Sequence, residues 1–250
     1  MATRRDMLLS ALPAFAVLAL LREARAAVPA NSRLSARRWI QRQEELAHSL
    51  TQHKVTQVQW HDMVNALAGE VDVAEVASEL RRAQTRPAGD PLGHDPVKRF
   101  VTFLDDSGTP VRVSYGVALF SFEKNSVITP HAHQHMASAH MVIEGRVRVR
   151  TFDRIADEEG TLLVLPTGDE LAGPGHAAAM TTDKDNVHWF ASRSDRAMTL
   201  DVILDGLDPG KERYVIQPLD PIGGEHLADG TIQAPLLSFE ESSRRYTAAL

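Results

Sequence analysis

From Lys98 onward the chain is cut into short apolar-alternating runs separated by turns, and this punctuation constrains the fold more than any other feature. The runs are 99–104, 111–120, the histidine-bearing stretch around 131, 147–152, 161–165, 188–190, 198–204 and 214–217. Asp105-Asp-Ser-Gly-Thr-Pro110 and Pro166-Thr-Gly168 are two of the breaks. Side chains that alternate with a period of two lie on opposite faces of an extended backbone, so each run reads as a strand with one buried face. Several such strands with regular turns predict a sandwich or barrel of jelly-roll type. No internal repeat is evident.

Residues 30–97 follow a different period. Ser32 or Ser35 can cap a helix over 37–50, a second helix fits 58–67 with a stop at Gly69, and a third fits 73–82. Arg86-Pro-Ala-Gly-Asp-Pro-Leu-Gly93 is a turn-rich linker. His48, His53 and His61 fall in this segment without ligand spacing and read as solvated or capping side chains. The tail, 221–250, reads as loop. The predicted architecture is mainly β: a single jelly-roll barrel over 98–220, preceded by an α-helical N-terminal segment.

Residues 1–26 are set apart from this fold. Arg4-Arg5 opens a basic region, an apolar stretch of 15 residues follows from Met7 to Leu21, and Ala24-Arg25-Ala26 has the form of a cleavage site. A spanning helix needs about 20 apolar residues, so an export signal is the expectation, with the paired arginines pointing to the twin-arginine route. That route carries proteins already folded, which suits a cofactor inserted before export. The expected location is the periplasm, with no membrane contact after the signal is removed. Without residues 1–26, which carry four arginines and two acids, the formal charge goes from −6 to −8 over 224 residues. An acidic chain of this kind has no electrostatic footprint for nucleic acid. The absence of cysteine excludes disulfides, thiolate metal sites and cysteine nucleophiles, leaving histidines and carboxylates for any coordination.

His131-Ala-His133 then carries the chemistry. Two histidines at i and i+2 of a strand project to the same side, so both imidazoles can reach one metal ion. Met141-Val-Ile-Glu-Gly145 and the alternating Arg146-Val-Arg-Val-Arg150 frame the pair as strand, turn and strand.

Residues 98–218 resemble a cupin, a small jelly roll that holds a metal. His131, His133 and Gly145 match the family's first motif, with Ser138 where a glutamate ligand would stand; Gly160, Pro166 and Gly168 match its second, with Leu171 where a histidine is expected. Asp185-Asn-Val-His188-Trp-Phe-Ala191, followed by Thr199-Leu-Asp-Val-Ile-Leu204, is similar to the cysteamine and plant cysteine oxidase group of thiol dioxygenases. Those cupins also lack the glutamate and bind ferrous iron through three histidines. The resemblance therefore implies His131, His133 and His188 as metal ligands, Fe(II) as cofactor with Mn, Ni and Zn as alternatives, and a small thiol and dioxygen as substrates. His176, in the loop Gly173-Pro-Gly-His-Ala177, rivals His188 as third ligand, although a flexible loop positions a ligand less well than a strand. His135 shares the parity of the histidine pair and is a candidate fourth ligand or acid–base group, while His140 is a fallback ligand. Ser138 is a candidate partner for a bound oxygen species.

The same resemblance leaves other metal-cupin enzymes open, among them isomerases, decarboxylases and carbon–carbon-cleaving dioxygenases. It also leaves open a non-catalytic ligand-binding cupin with the helical segment as a docking surface. An edge strand of the barrel makes a homodimer the expected assembly.

Overall fold

The structure, a computed structural model, describes residues 33–248, so the expected export signal lies outside the described residues. Three helices open it: α1 (Ala36–Thr51), α2 (Gln57–Glu70) and α3 (Val73–Arg82). Ser35 caps α1 by accepting from the Arg38 N–H, and Asp72 caps α3 by accepting from Ala74. Thr56 and Gln59 form a reciprocal capping box on α2. That helix runs through Gly69 instead of stopping there. An interior glycine costs a helix about 1 kcal/mol relative to alanine. Burial of Trp60, Val64, Leu67 and Ala68 on the same helix offsets it.

The barrel uses β1 (Gln84–Pro87), β2 (Val97–Thr102), β3 (Gly116–Glu123), β4 (Val127–Gln134), β5 (Met136–Glu144), β6 (Val147–Glu158), β7 (Thr161–Ala172), β8 (Ala177–Met180), β9 (Val187–Ser192), β10 (Arg196–Asp205), β11 (Val215–Pro218), β12 (Glu225–His226) and β13 (Ile232–Pro235). They form two antiparallel sheets, ordered β1-β2-β3-β10-β5-β8 and β11-β4-β9-β6-β7-β13-β12. Between β3 and β10 the chain thus passes back and forth between β3-β10-β5-β8 and β4-β9-β6-β7, with only the hairpin β6-β7 staying in one sheet, the double Greek key of a jelly roll. The three helices precede it and cover the outer face of the first sheet. There Trp39, Leu50, Trp60 and Leu67 pack with Ala139 and Met141 of β5 and Leu200 of β10. The inner face of that sheet is left to look across the barrel at the second.

Several boundaries differ from the sequence reading for identifiable reasons. Part of the expected linker is a strand, because β1 pairs with β2 (Arg86 opposite Phe100). β7 does not end at Pro166. A register shift at Thr151/Phe152 brings Pro166 opposite Phe152 and accommodates a residue that cannot donate to the ladder, after which pairing with β6 resumes. The tail is not loop: β13 pairs with β7, and a fourth helix, α4 (Phe239–Ala248), closes the second sheet. Ser238 and Glu241 satisfy each other's backbone N–H groups at its start, and Tyr246, fully buried, sets its ring 5.0 Å from Trp189 of β9.

Candidate metal centre

Pairing of β4 with β9 places His131 directly opposite His188. His133 lies two residues along β4, on the same side. The ring centroids of the three are 4.2–4.8 Å apart, and one ligand nitrogen from each lies within 4.8 Å of the others. His131 Nδ1 donates to the Thr129 carbonyl at 2.7 Å, which fixes the tautomer and leaves Nε2 with its lone pair free. Asn186, fully buried, donates from Nδ2 to the carbonyls of His133 (2.6 Å) and Thr181 (3.0 Å), tying the start of β9 to β4.

Burial pushes His131 down to about 4, and it pushes His133 and His188 well below the usual histidine range, with the neighbouring imidazoles adding to the effect. All three are therefore neutral near pH 7, which is the ligating form. Both ring nitrogens of His133 and Nδ1 of His188 are buried without a hydrogen-bond partner among the described residues. A buried polar atom left without a partner is costly, and three neutral imidazoles meeting at such atoms fit a divalent transition metal. His131, His133 and His188 can hold a metal ion.

The cluster opens on a cavity of about 450 Å³ between the two sheets. Lys98, Phe120, His140 and Asp201 line it from the opposite wall. Asp201 is 4% exposed, with Oδ1 unpartnered among the described residues and Oδ2 3.5 Å from His140 Nε2. Burial pushes the Asp201 carboxyl up to about 7 and His140 down to about 3. Between those values both are uncharged. His140 Nδ1 lies 3.1 Å from Thr199 Oγ1, and its ring is tilted against that of Phe190 with the centres 4.6 Å apart. Lys98 carries its ammonium 5.1 Å from the Phe120 ring centre and 5.4 Å from that of Phe100, and its charge helps to depress His131, His133 and His140.

The other sequence candidates fall elsewhere. His135 does not join the cluster: its backbone takes a left-handed φ of 62°, which breaks the alternation between β4 and β5, and its Nδ1 turns to Asp208 Oδ2 at 2.5 Å. His176 pairs with Glu170 at 2.7 Å, away from the three histidines. Ser138 is fully buried on β5, on the same side as Met136 and His140, yet it is not among the cavity-lining side chains. His140 does reach the cavity, as the partner of Asp201 rather than of the metal group. Lys98 and Asp201 were not singled out from sequence. The signal for Asp201 was present, because alternation along 198–204 sets Leu200, Val202 and Leu204 outward and leaves Thr199, Asp201 and Ile203 facing in. A lone acid on an inward face is informative.

No protein-family model matches this chain, and no curated relative does. Solved structures align with part of it. KdgF from Halomonas sp. is 13% identical with a TM-score of 0.33, over 46% of this chain and 82% of that one. A sugar phosphate isomerase of the cupin superfamily from Silicibacter pomeroyi is 22% identical with a TM-score of 0.34, over 50% of this chain and 71% of that one. An oxalate oxidase is 15% identical with a TM-score of 0.34, over 52% of this chain and 59% of that one. Overlap this partial leaves the chemistry of the centre to its own side chains.

Proposed function

We propose that the chain is a metal-dependent oxidoreductase of the three-histidine type, using ferrous iron to add dioxygen to a small thiol and give a sulfinate. The observation that carries this reading is the convergence of three neutral imidazoles, two buried and one half-buried, with no carboxylate in the ligand group. Neutral ligands leave the ion's charge uncompensated, so an anionic thiolate is the favoured guest. Ferrous iron, when bound, supplies Lewis acidity and the electrons with which dioxygen is activated. Overall, RS⁻ and O₂ combine to RSO₂⁻: both oxygen atoms go to sulfur, which loses four electrons to them.

The chain's own groups supply the rest. Phe120 and Ile128 keep the cavity wall apolar and limit water. The Lys98 ammonium favours entry of an anion. Asp201, which lines the cavity and has its carboxyl at about 7, can take the thiol proton. Export to the periplasm remains part of the proposal and is carried by residues 1–26.

Oxygen consumption by the iron-loaded protein with cysteamine, cysteine and 3-mercaptopropionate tests the reading, the expected product being 32 Da heavier than the thiol. No uptake with any of the three would overturn the thiol version. A second reading, a metal-dependent isomerase or decarboxylase of a carboxylate, draws on the Lys98 ammonium in the same cavity. Turnover of a carboxylate without oxygen uptake would favour it.

Asp201 also makes a stability test available. Its pKa in the fold is raised from 3.8 to about 7, so its contribution is fully present below about 4 and is lost as pH rises through about 7. Asp201→Asn removes that loss. Relative to wild type, the metal-free variant is expected to gain several degrees in Tm between pH 5 and pH 8. A constant difference between the two proteins across that range would place the Asp201 carboxyl in its ordinary range.

A further inference from the structure

Beside its apolar packing, the helical segment makes a polar seam with the barrel along α2. Gln57, His61 and Asn65 of α2 stand four residues apart and so share a face. All three reach β8 or the stretch joining it to β9. The Asn65 Oδ1 accepts from the Ala179 N–H at 3.0 Å, and the Gln57 Oε1 accepts from the Thr182 N–H at 2.8 Å. His61 Nε2 lies 2.8 Å from Asp185 Oδ2, and its Nδ1 lies 2.9 Å from Asp62 Oδ1, which also accepts from Lys184 Nζ at 2.6 Å. His61 is 4% exposed and Asp185 is largely covered, while Asp62 is exposed, so the bridge runs from the interior to the surface.

Both carboxylates are held in the ionised form. The Lys184 hydrogen bond keeps Asp62 below its usual range. Burial works against the charge of Asp185, yet hydrogen bonds from His61 and Thr167 hold that carboxyl low as well. An ionised carboxylate only accepts, so the His61 ring is held from either side by a fixed acceptor. A space-filling histidine would need neither partner.

What the bridge holds is the approach to the metal ligands. Asp185 has a left-handed φ of 49°, uncommon for a residue with a side chain, and its N–H donates to Asp153 Oδ1 at 2.7 Å. Its Oδ1 accepts from Thr167 Oγ1 at 2.5 Å. The next residue, Asn186, grips the His133 carbonyl, and two residues later comes His188. We infer that His61 is a positioning residue of the metal centre: bridging Asp62 and Asp185, it fixes the loop that aims His188 and, through Asn186, His133. This gives the helical segment a task in the site and rests on the reading of the three histidines as ligands.

The test is a Co²⁺ titration of the metal-free protein, following the visible absorption of the bound ion, together with hydrogen exchange over 181–188 in the metal-free state. His61→Gln keeps one bond of the bridge, and Asp185→Asn keeps the side chain's shape without its charge. Each variant is expected to weaken Co²⁺ binding by about 10–100-fold, as groups that orient ligands do. An altered absorption band and faster exchange over 181–188 are expected alongside, with global unfolding little changed. Wild-type affinity, band and exchange in a folded His61→Gln would overturn the inference. Should that variant not fold, Asp185→Asn decides it by the same readouts. If the wild type itself binds no Co²⁺, the metal reading fails, and the exchange data alone decide whether His61 fixes the loop.

Discussion

Replacing His188 with alanine is expected to abolish tight metal binding while the barrel stays folded. The ring supplies one of three donors, and its removal leaves two imidazoles on a single strand, a set that cannot enclose an ion from two sides. The loss should exceed the about 10–100-fold seen when only a supporting group is removed. Among the described residues no other histidine is placed to take over. His176 is held by Glu170, His135 by Asp208, and His140 faces Asp201 with its ring centre 6.0 Å from that of His188. Trimming a buried ring also leaves a void, so Tm is expected to fall somewhat, by a cost common to other core truncations. Calorimetric titration with a divalent ion separates the two effects, since His176→Ala should leave the affinity at the wild-type value.

The largest expected effect on stability is at Gly145, in the turn between β5 and β6. Its φ is +73°, where a side chain costs about 1–2 kcal/mol. There is no space for one either: a Cβ at this position would run into the Arg196 carbonyl oxygen and stand 2.9 Å from the Ala197 Cα, both backbone atoms of β10. Forcing a core apart typically costs a further ~1–3 kcal/mol. Gly145→Ala is therefore expected to lose about 2–5 kcal/mol, or about 4–20 °C in Tm for a chain of this size. Gly160→Ala is the control. It shares the same φ but meets nothing within 4 Å, so it should lose only the backbone part. Equal losses at the two glycines would mean that the close approach of β10 carries no weight.

Much of the centre could be read from sequence, because it obeys the period-two rule. His131 and His133 share a side of β4 as their spacing requires, and His188 and Phe190 share a side of β9, their rings 5.4 Å apart. The rule fails at His135 because alternation ends where the backbone turns left-handed, and no residue type at that position announces the turn. Register between strands distant in the chain was also hidden. That His131 faces His188, and that Asp201 pairs with His140, follows from the order in which the jelly roll deals its strands, not from any local spacing. In the helical segment the reverse holds. The ends of α3 were legible from apolar period, whereas Asp185, the distant partner of His61, lies 124 residues away and could not be seen from the helix alone. The tail was misread for want of length: β13 has four residues ending in proline, although Ser238 and Glu241 at the start of α4 have the spacing of a capping box.

Metal content per chain is the most direct test of the centre. It is measured by mass spectrometry on protein purified without oxygen, for the wild type and for His131→Ala, His133→Ala and His188→Ala. The expected result is close to one iron per wild-type chain and close to none in each folded variant. A wild type that stays metal-free after reconstitution with iron, manganese, nickel or zinc would contradict the account, as would iron retained in His188→Ala.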